Sequence, residues 1–431
     1  MTLAPIYAIE HPADRAWPRR LGFVTAVLMV LTFTQFWQTP LVGPDGDPEA
    51  SNLIRSLFFP AYGMAAVLLL ARPWAALGTA VRSPLIWLLL ALVFASAIWS
   101  IDPSTTERRA IALLFTTLAA LVLASRFEWP ELLEVLATAF AVVVVCCYLL
   151  GLFVPSYGRM TSLFPGAWRG VYSEKNALGD TMTMAFITLS ATAVLNPRRR
   201  WLWSGFAAAA IGLVLLSTSK TSLVTLVIGS ACLAFVWLVR RGPAVSIAAT
   251  FAAVSGLIVL GLGIVFASDA FFALLGKDAT LTGRTVIWTS VLRIIHERPW
   301  TGYGYASIWT DEGGWGPLAW IIKWSHFRPH HAHNSWLETW LALGYPGLAL
   351  WASVFILTWG LTLYAVYRRP GGYFALPFLV FYSLTTLTES VAFIYNDLYW
   401  VIFAAMAFKL AAGDRVAAIE TDEDDLAAAR P

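Results

Sequence analysis

Residues 283–347 read GRTVIWTSVLRIIHERPWTGYGYASIWTDEGGWGPLAWIIKWSHFRPHHAHNSWLETWLALGYPG, and their contrast with the rest of the chain decides the fold. On either side the sequence is built of apolar runs that would fill a bilayer, whereas this stretch carries charges, glycines and prolines at short intervals. Five of the chain's 6 histidines lie in it (His296, His326, His330, His331 and His333), as do eight of the 21 tryptophans, from Trp288 to Trp340. A plain connection between two membrane helices needs none of this chemistry. The functional site is expected here, and the remainder reads as scaffold.

Composition sets the class. With 58% hydrophobic and 13% charged residues and a mean hydropathy of +0.68, a chain of 431 residues cannot hide its apolar surface inside a water-soluble globule. It reads as an all-α integral membrane protein. Apolar runs begin at Leu21 and Ser56 and continue with Leu85–Trp99, Ala110–Ala124, Leu132–Val154, Ala177–Leu195, Leu202–Leu216, Leu223–Val239, Ala244–Phe266, Leu348–Val366, Ala375–Ser390 and Leu398–Ala411. About twelve transmembrane helices follow, with one long loop between the ninth and tenth. The net charge of +3 is spread over many loops, so no nucleic-acid footprint is present. Cys146, Cys147 and Cys232 all lie in apolar runs and read as small buried hydrophobes.

Lys and Arg set the orientation. With a cytoplasmic N-terminus, thirteen of them fall in inside loops and seven in the short outside loops, and Arg198-Arg199-Arg200 and Arg240-Arg241 are the clearest inside markers. The expected organisation is a cytoplasmic tail (1–20), nine spans (21–266), a periplasmic catalytic loop (267–347), three spans (348–411) and a cytoplasmic acidic tail (412–431). Three features then share the outer face. They are the loop Ser156 to Gly179, the hydroxyl-rich turn Ser217-Thr-Ser-Lys-Thr-Ser222, and the long loop itself.

These motifs resemble a known family in their order. His333-Asn334 followed by Gly344-x-x-Gly347 is similar to the signature of the O-antigen ligase and polysaccharide polymerase superfamily. So are Arg169-Gly170 with Lys175-Asn176-x-Leu178-Gly179, Ser219-Lys220-Thr221-Ser222, and Gly283-Arg284 leading to Pro299 and Gly302-x-Gly304. Succinoglycan-type exopolysaccharide polymerases are the most similar branch. Lys220 departs from the pattern, where Arg is more usual, and a lysine contacts phosphate as a point charge without a bidentate fork. The resemblance implies a bacterial inner-membrane glycosyltransferase that acts at the periplasmic side on an undecaprenyl-diphosphate-linked glycan donor and a glycan acceptor. It also implies inversion at the anomeric carbon and a chain-length regulator as partner.

The chemistry of such a transfer can be set against the residues directly. A sugar hydroxyl is a poor nucleophile and needs a base, and histidine is poised for that near neutral pH, so His333 is assigned the role. The departing diphosphate gathers charge that guanidinium forks match, which points to Arg169 and Arg284 with Lys175 and Lys220 as helpers. Asn176 and Asn334 are candidate substrate contacts, and Trp168 and Tyr172 could stack on sugar faces. Each has a plainer reading: His333 and Asn334 as a helix cap, the arginines as interfacial cations, the tryptophans as membrane-belt anchors. The histidine cluster lacks a recognised metal spacing, so neither metal nor cofactor is expected. A ligase of the same superfamily and a transporter of lipid-linked sugars are the alternatives. Polar chemistry gathered at one surface, away from the bilayer midplane, favours an enzyme.

Overall fold

The computed structural model describes residues 19–43, 52–162, 164–266, 284–310 and 315–413. Most of the expected N-terminal tail, nearly all of the acidic C-terminal tail, Gly283 and residues 267–282 of the expected loop lie outside the described residues. Within them the protein is all-α, and one isolated antiparallel bridge, Arg159 to Trp168, is the nearest thing to a strand.

Every apolar run falls on a helix: Arg19–Phe33, Phe59–Ala71, Pro84–Ala95, Pro103–Arg126, Trp129–Phe153, Lys175–Leu195, Arg200–Ser217, Lys220–Val239, Pro243–Phe266, Ser335–Arg368, Gly372–Thr388 and Leu398–Ala412. Among the described residues seven helices are long and apolar enough to cross a bilayer. The number is eight if Pro73–Ala80 and Pro84–Ile98, bent by 88°, form one broken span. The chain is therefore a multi-pass membrane protein. Several of the remaining helices are shorter than the ~20 residues that cross comfortably.

Helix starts are written locally. Asp102, Ser219, Asn334 and Asp397 each cap a helix by accepting a backbone N–H with the side chain, a contact worth about 0.5–2 kcal/mol. The interior is aromatic. Trp351 is fully buried, with the rings of Trp336, Phe355, Phe393, Trp400 and Phe403 at centroid distances of 6.0, 5.6, 5.7, 6.3 and 5.3 Å. These contacts pin the Ser335–Arg368 helix to the Leu398–Ala412 helix.

The polar stretch folds on its own account. The helix Arg284–Glu297 buries Ile287, Val291, Ile294 and Ile295, the i, i+4, i+7, i+8 stripe of an amphipathic helix that lies on a surface. Helix Pro317–Ser325 adds Leu318 and Ile321, and with Tyr303, Ile308, Ala332 and Leu341 they make a second apolar core, separate from that of the bundle. The cap is fastened to the bundle through backbone: Ile101 N–H donates to Tyr303 O (3.1 Å), Trp99 Nε1 to Thr301 O (2.8 Å), and Thr106 Oγ1 to Tyr305 O (3.1 Å).

Two glycine motifs make the close approach possible. A Cβ on Gly344 would lie 2.2 Å from Trp300 O, and one on Gly302 would lie 2.6 Å from Ala342 C. Both have positive φ, 66° and 63°. The backbone at Gly302 thus packs against Leu341 and Ala342, and that at Gly344 against Trp300 and Thr301. The tenth span was expected to begin at Leu348. Its helix begins at Ser335 instead, and Gly344 breaks it into a short cap segment and a long membrane segment.

Candidate functional site

Five chain segments end at one place beside the cap. The His330–Asn334 turn enters a helix at Asn334, Glu389 closes the Gly372–Thr388 helix, and Arg284 opens the first cap helix. Glu174 precedes Lys175–Leu195, and Ser219 precedes Lys220–Val239. Sequence separations above one hundred residues are closed here by helix ends alone.

Glu389 is the centre of the group. Its Oε1 accepts from Arg284 Nη2, and its Oε2 receives His333 Nδ1 at 2.8 Å. An ionised carboxylate can only accept, so Nδ1 carries the proton and the lone pair of a neutral imidazole is left on Nε2. The three side chains are 23%, 31% and 29% exposed for Arg284, His333 and Glu389, so a substrate can reach them. Burial pushes the Glu389 carboxyl up, but the His333 hydrogen bond and the charges of Arg284, His333 and His331 overcome it and leave the group more acidic than usual.

The rest of the turn is held from several sides. Trp288 Nε1 donates to Ala332 O (3.0 Å) and Ala332 N–H to Glu338 Oε2 (2.9 Å). Asn334 Oδ1 caps Trp336 N (3.0 Å) and Leu337 N (3.1 Å). Ser335 Oγ donates to Glu389 O (2.8 Å) and receives Val391 N (2.9 Å). His333 itself has φ 51°, a conformation that costs a non-glycine residue energy and that the surrounding bonds enforce. His331 stands behind it: its Nδ1 accepts His333 N–H at 3.3 Å, and burial with the neighbouring His333 pushes its imidazole down to about 4.

A second tier of charge surrounds the pair. Burial and the charge of Glu389 raise the Glu174 carboxyl against the pull of His333, Arg284 and Lys175. Ser222 Oγ donates to Asp180 Oδ1 (2.7 Å) and Ser219 Oγ to Asn176 Oδ1 (3.0 Å), which ties the starts of two helices together. Lys175 and Lys220 act on each other as neighbouring cations, and Lys175 Nζ lies 3.7 Å from the centroid of the Phe164 ring.

Of the residues singled out from sequence, Arg284 and His333 are brought together, and Lys175, Asn176 and Lys220 lie alongside. Asn334 acts as the helix cap. Arg169 is elsewhere in kind: it is buried, and its Nε and Nη2 donate to Tyr157 O (2.7 Å) and Ser156 O (3.0 Å), holding the loop's own backbone. Trp168 is buried too, its ring against Gly151 and Tyr148 with the Arg159 guanidinium over one face at 5.1 Å, so its faces are taken. The Tyr172 hydroxyl points into the interior. Glu389, an acid at the end of a span, belongs to no motif that names its partners. Glu174, Asp180 and the role of His331 carry no local motif.

His331, His333 and Glu389 also offer ligand atoms within 4.8 Å of one another, close enough to hold a metal ion. Two imidazoles and a carboxylate are a zinc-type donor set. The Arg284 guanidinium on the same carboxylate opposes a second positive charge there.

Comparison with known proteins bears on this geometry. Residues 205–352 match the family model described as O-antigen ligase, a region that includes Lys220, Arg284 and His333 and stops short of Glu389. Over 283 residues the chain is 25% identical to the exopolysaccharide production protein ExoQ of Rhizobium meliloti (strain 1021). The alignment covers 63% of this chain and 63% of that protein, so the chain spans less than two thirds of the relative's length. Over the region that holds Lys220 and the Arg284–His333 pair, the chain is thus similar to the O-antigen ligase family, and over 283 residues it is similar to an exopolysaccharide production protein.

Proposed function

We propose that this protein is a glycosyltransferase of the bacterial inner membrane that polymerises undecaprenyl-diphosphate-linked repeat units into an exopolysaccharide, O-antigen or capsule. The observation that carries the reading is Glu389 held between Arg284 and His333. It gives a base with a defined tautomer beside a cation whose other N–H groups have no protein partner among the described residues.

In this reading the acceptor sugar hydroxyl gives its proton to His333 Nε2 while its oxygen bonds to the anomeric carbon of the donor. The bond from that carbon to the diphosphate oxygen breaks on the opposite side, and the diphosphate leaves with the electron pair. Inversion follows from the single displacement. Glu389 balances the charge that His333 acquires, and Arg284 takes up the charge of the leaving group, with Lys175 and Lys220 as flanking cations. The cap faces the periplasm by the distribution of Lys and Arg, and the remaining short helices complete about twelve spans. A chain-length regulator is the expected partner.

The test is reaction of the purified, chelator-treated protein with a lipid-diphosphate-linked repeat unit, with products resolved by size. A ladder of longer lipid-linked glycans is expected. Loss of activity on chelation with recovery on zinc would replace metal-free acid–base chemistry by a metal at His331, His333 and Glu389. A second reading, a ligase, is favoured by the description of the matching family; transfer only to an added lipid A core or protein would establish it. Movement of labelled lipid across a vesicle bilayer without any covalent product would make the protein a transporter.

A further inference from the structure

At the opposite end of the bundle four buried donors have no acceptor among the described residues: Arg72 Nε, Ser83 Oγ, Arg126 Nη1 and Trp129 Nε1. Arg126 is the least expected of them. It ends the helix Pro103–Arg126, is 8% exposed, and the charge that acts on it is a second cation, Arg72. Gly22 makes room for its guanidinium, since a Cβ there would lie 2.5 Å from Arg126 Nη2. The carboxylates that follow in the chain are engaged elsewhere. Glu128 holds Lys409 Nζ at 3.1 Å, Glu131 pairs with Arg19, and Glu134 holds Arg199 Nη1 at 2.5 Å.

Two guanidinium groups together in a protein interior, one of them nearly enclosed, are stable only with a counter-charge. We infer that Arg126 and Arg72 form a binding site for a phosphate group, reached from the side of Arg72. The planar fork of arginine suits phosphate oxygens. Half-buried Arg72 provides the way in. Leu70, Trp74 and Leu77 around it are 73%, 58% and 52% exposed, an apolar border that suits acyl chains and favours a phospholipid head group as the source. The site is independent of the proposed transfer reaction and lies at the end of the bundle that carries Arg240 and Arg369.

The experiment uses the full chain, delipidated in neutral detergent, and follows thermal unfolding and the lipid retained in native mass spectrometry. Dioleoyl phosphatidylglycerol and inorganic phosphate are added separately. The wild type is expected to gain on the order of 2–4 °C with phosphatidylglycerol and to retain one lipid more than Arg126→Gln. Arg126→Gln is expected to gain nothing and, without ligand, to melt above the wild type because an uncompensated charge has gone. Equal stabilisation by inorganic phosphate would support the site and identify a free phosphate as sufficient. Equal gains for wild type and variant, or no gain for either, would overturn it. Arg72→Gln, at the more accessible partner, supplies the same comparison if Arg126→Gln does not accumulate.

Discussion

The 156–172 loop and the 330–334 turn each present a motif arginine or histidine to the same end of the bundle, yet the structure uses them in opposite ways. In the first, Arg169 gives its N–H groups to the carbonyls of Ser156 and Tyr157, Gly170 sits against Cys147, and Trp168 is enclosed. In the second, Arg284, Glu389 and His333 bond to one another and stay partly exposed. A guanidinium bonded to backbone builds a loop. One paired with a side chain that it can exchange for a substrate oxygen remains available for chemistry.

That contrast is tested most severely at His333. His333→Ala should lower glycosyl transfer by about 10²–10⁴-fold, the range for loss of a general base, with the protein still folded and inserted. A cap-only role for the turn would leave transfer nearly intact, because Asn334 provides the cap. Glu389→Gln should cost less, roughly 10–10²-fold, since His333 and Arg284 persist but lose their shared anchor. The loss should appear in turnover more than in substrate affinity.

The opposite pattern is expected at Arg169. Arg169→Lys removes the fork that holds two carbonyls and should destabilise the fold by about 1–3 kcal/mol while changing turnover less than tenfold. Large loss of turnover at unchanged stability would erase the distinction between the two regions and return Arg169 to the diphosphate.

The smallest effect is a pH dependence. Glu389 is lowered from its usual 4.5, so the stability from its pairing is complete above that value and is lost as pH falls through the lower, folded one. His331 is lowered from 6.5 to about 4. The unfolded imidazole binds a proton that the folded site refuses, and stability should decline as pH falls from 6.5 to 4. His331→Gln should flatten that decline in a thermal unfolding series, whereas Glu389→Gln should alter only the part below about pH 4.5.

Legibility in the sequence followed the range of the interaction. The membrane class, the helix positions and the cap at Asn334 are all carried by neighbours within a few residues. Beyond that range the reading thinned. Trp168 and Tyr172 looked like platforms for a sugar because burial has no local signature, and nothing in either glycine motif announces that the backbones at 302 and 344 pack against the segments around each other.

By itself, then, the sequence determined that this chain fills a membrane with helices and gathers five of its 6 histidines in one polar stretch, since hydropathy and residue type are read along the chain. Only the tertiary structure decided that Glu389 lies between Arg284 and His333, that Arg169 supports a loop, and that Arg126 neighbours Arg72 with no paired carboxylate among the described residues. Those are matters of which helix ends meet. The meeting is set by aromatic packing around Trp351 and by bare glycine backbones in contact, neither of which leaves a periodic mark in the sequence.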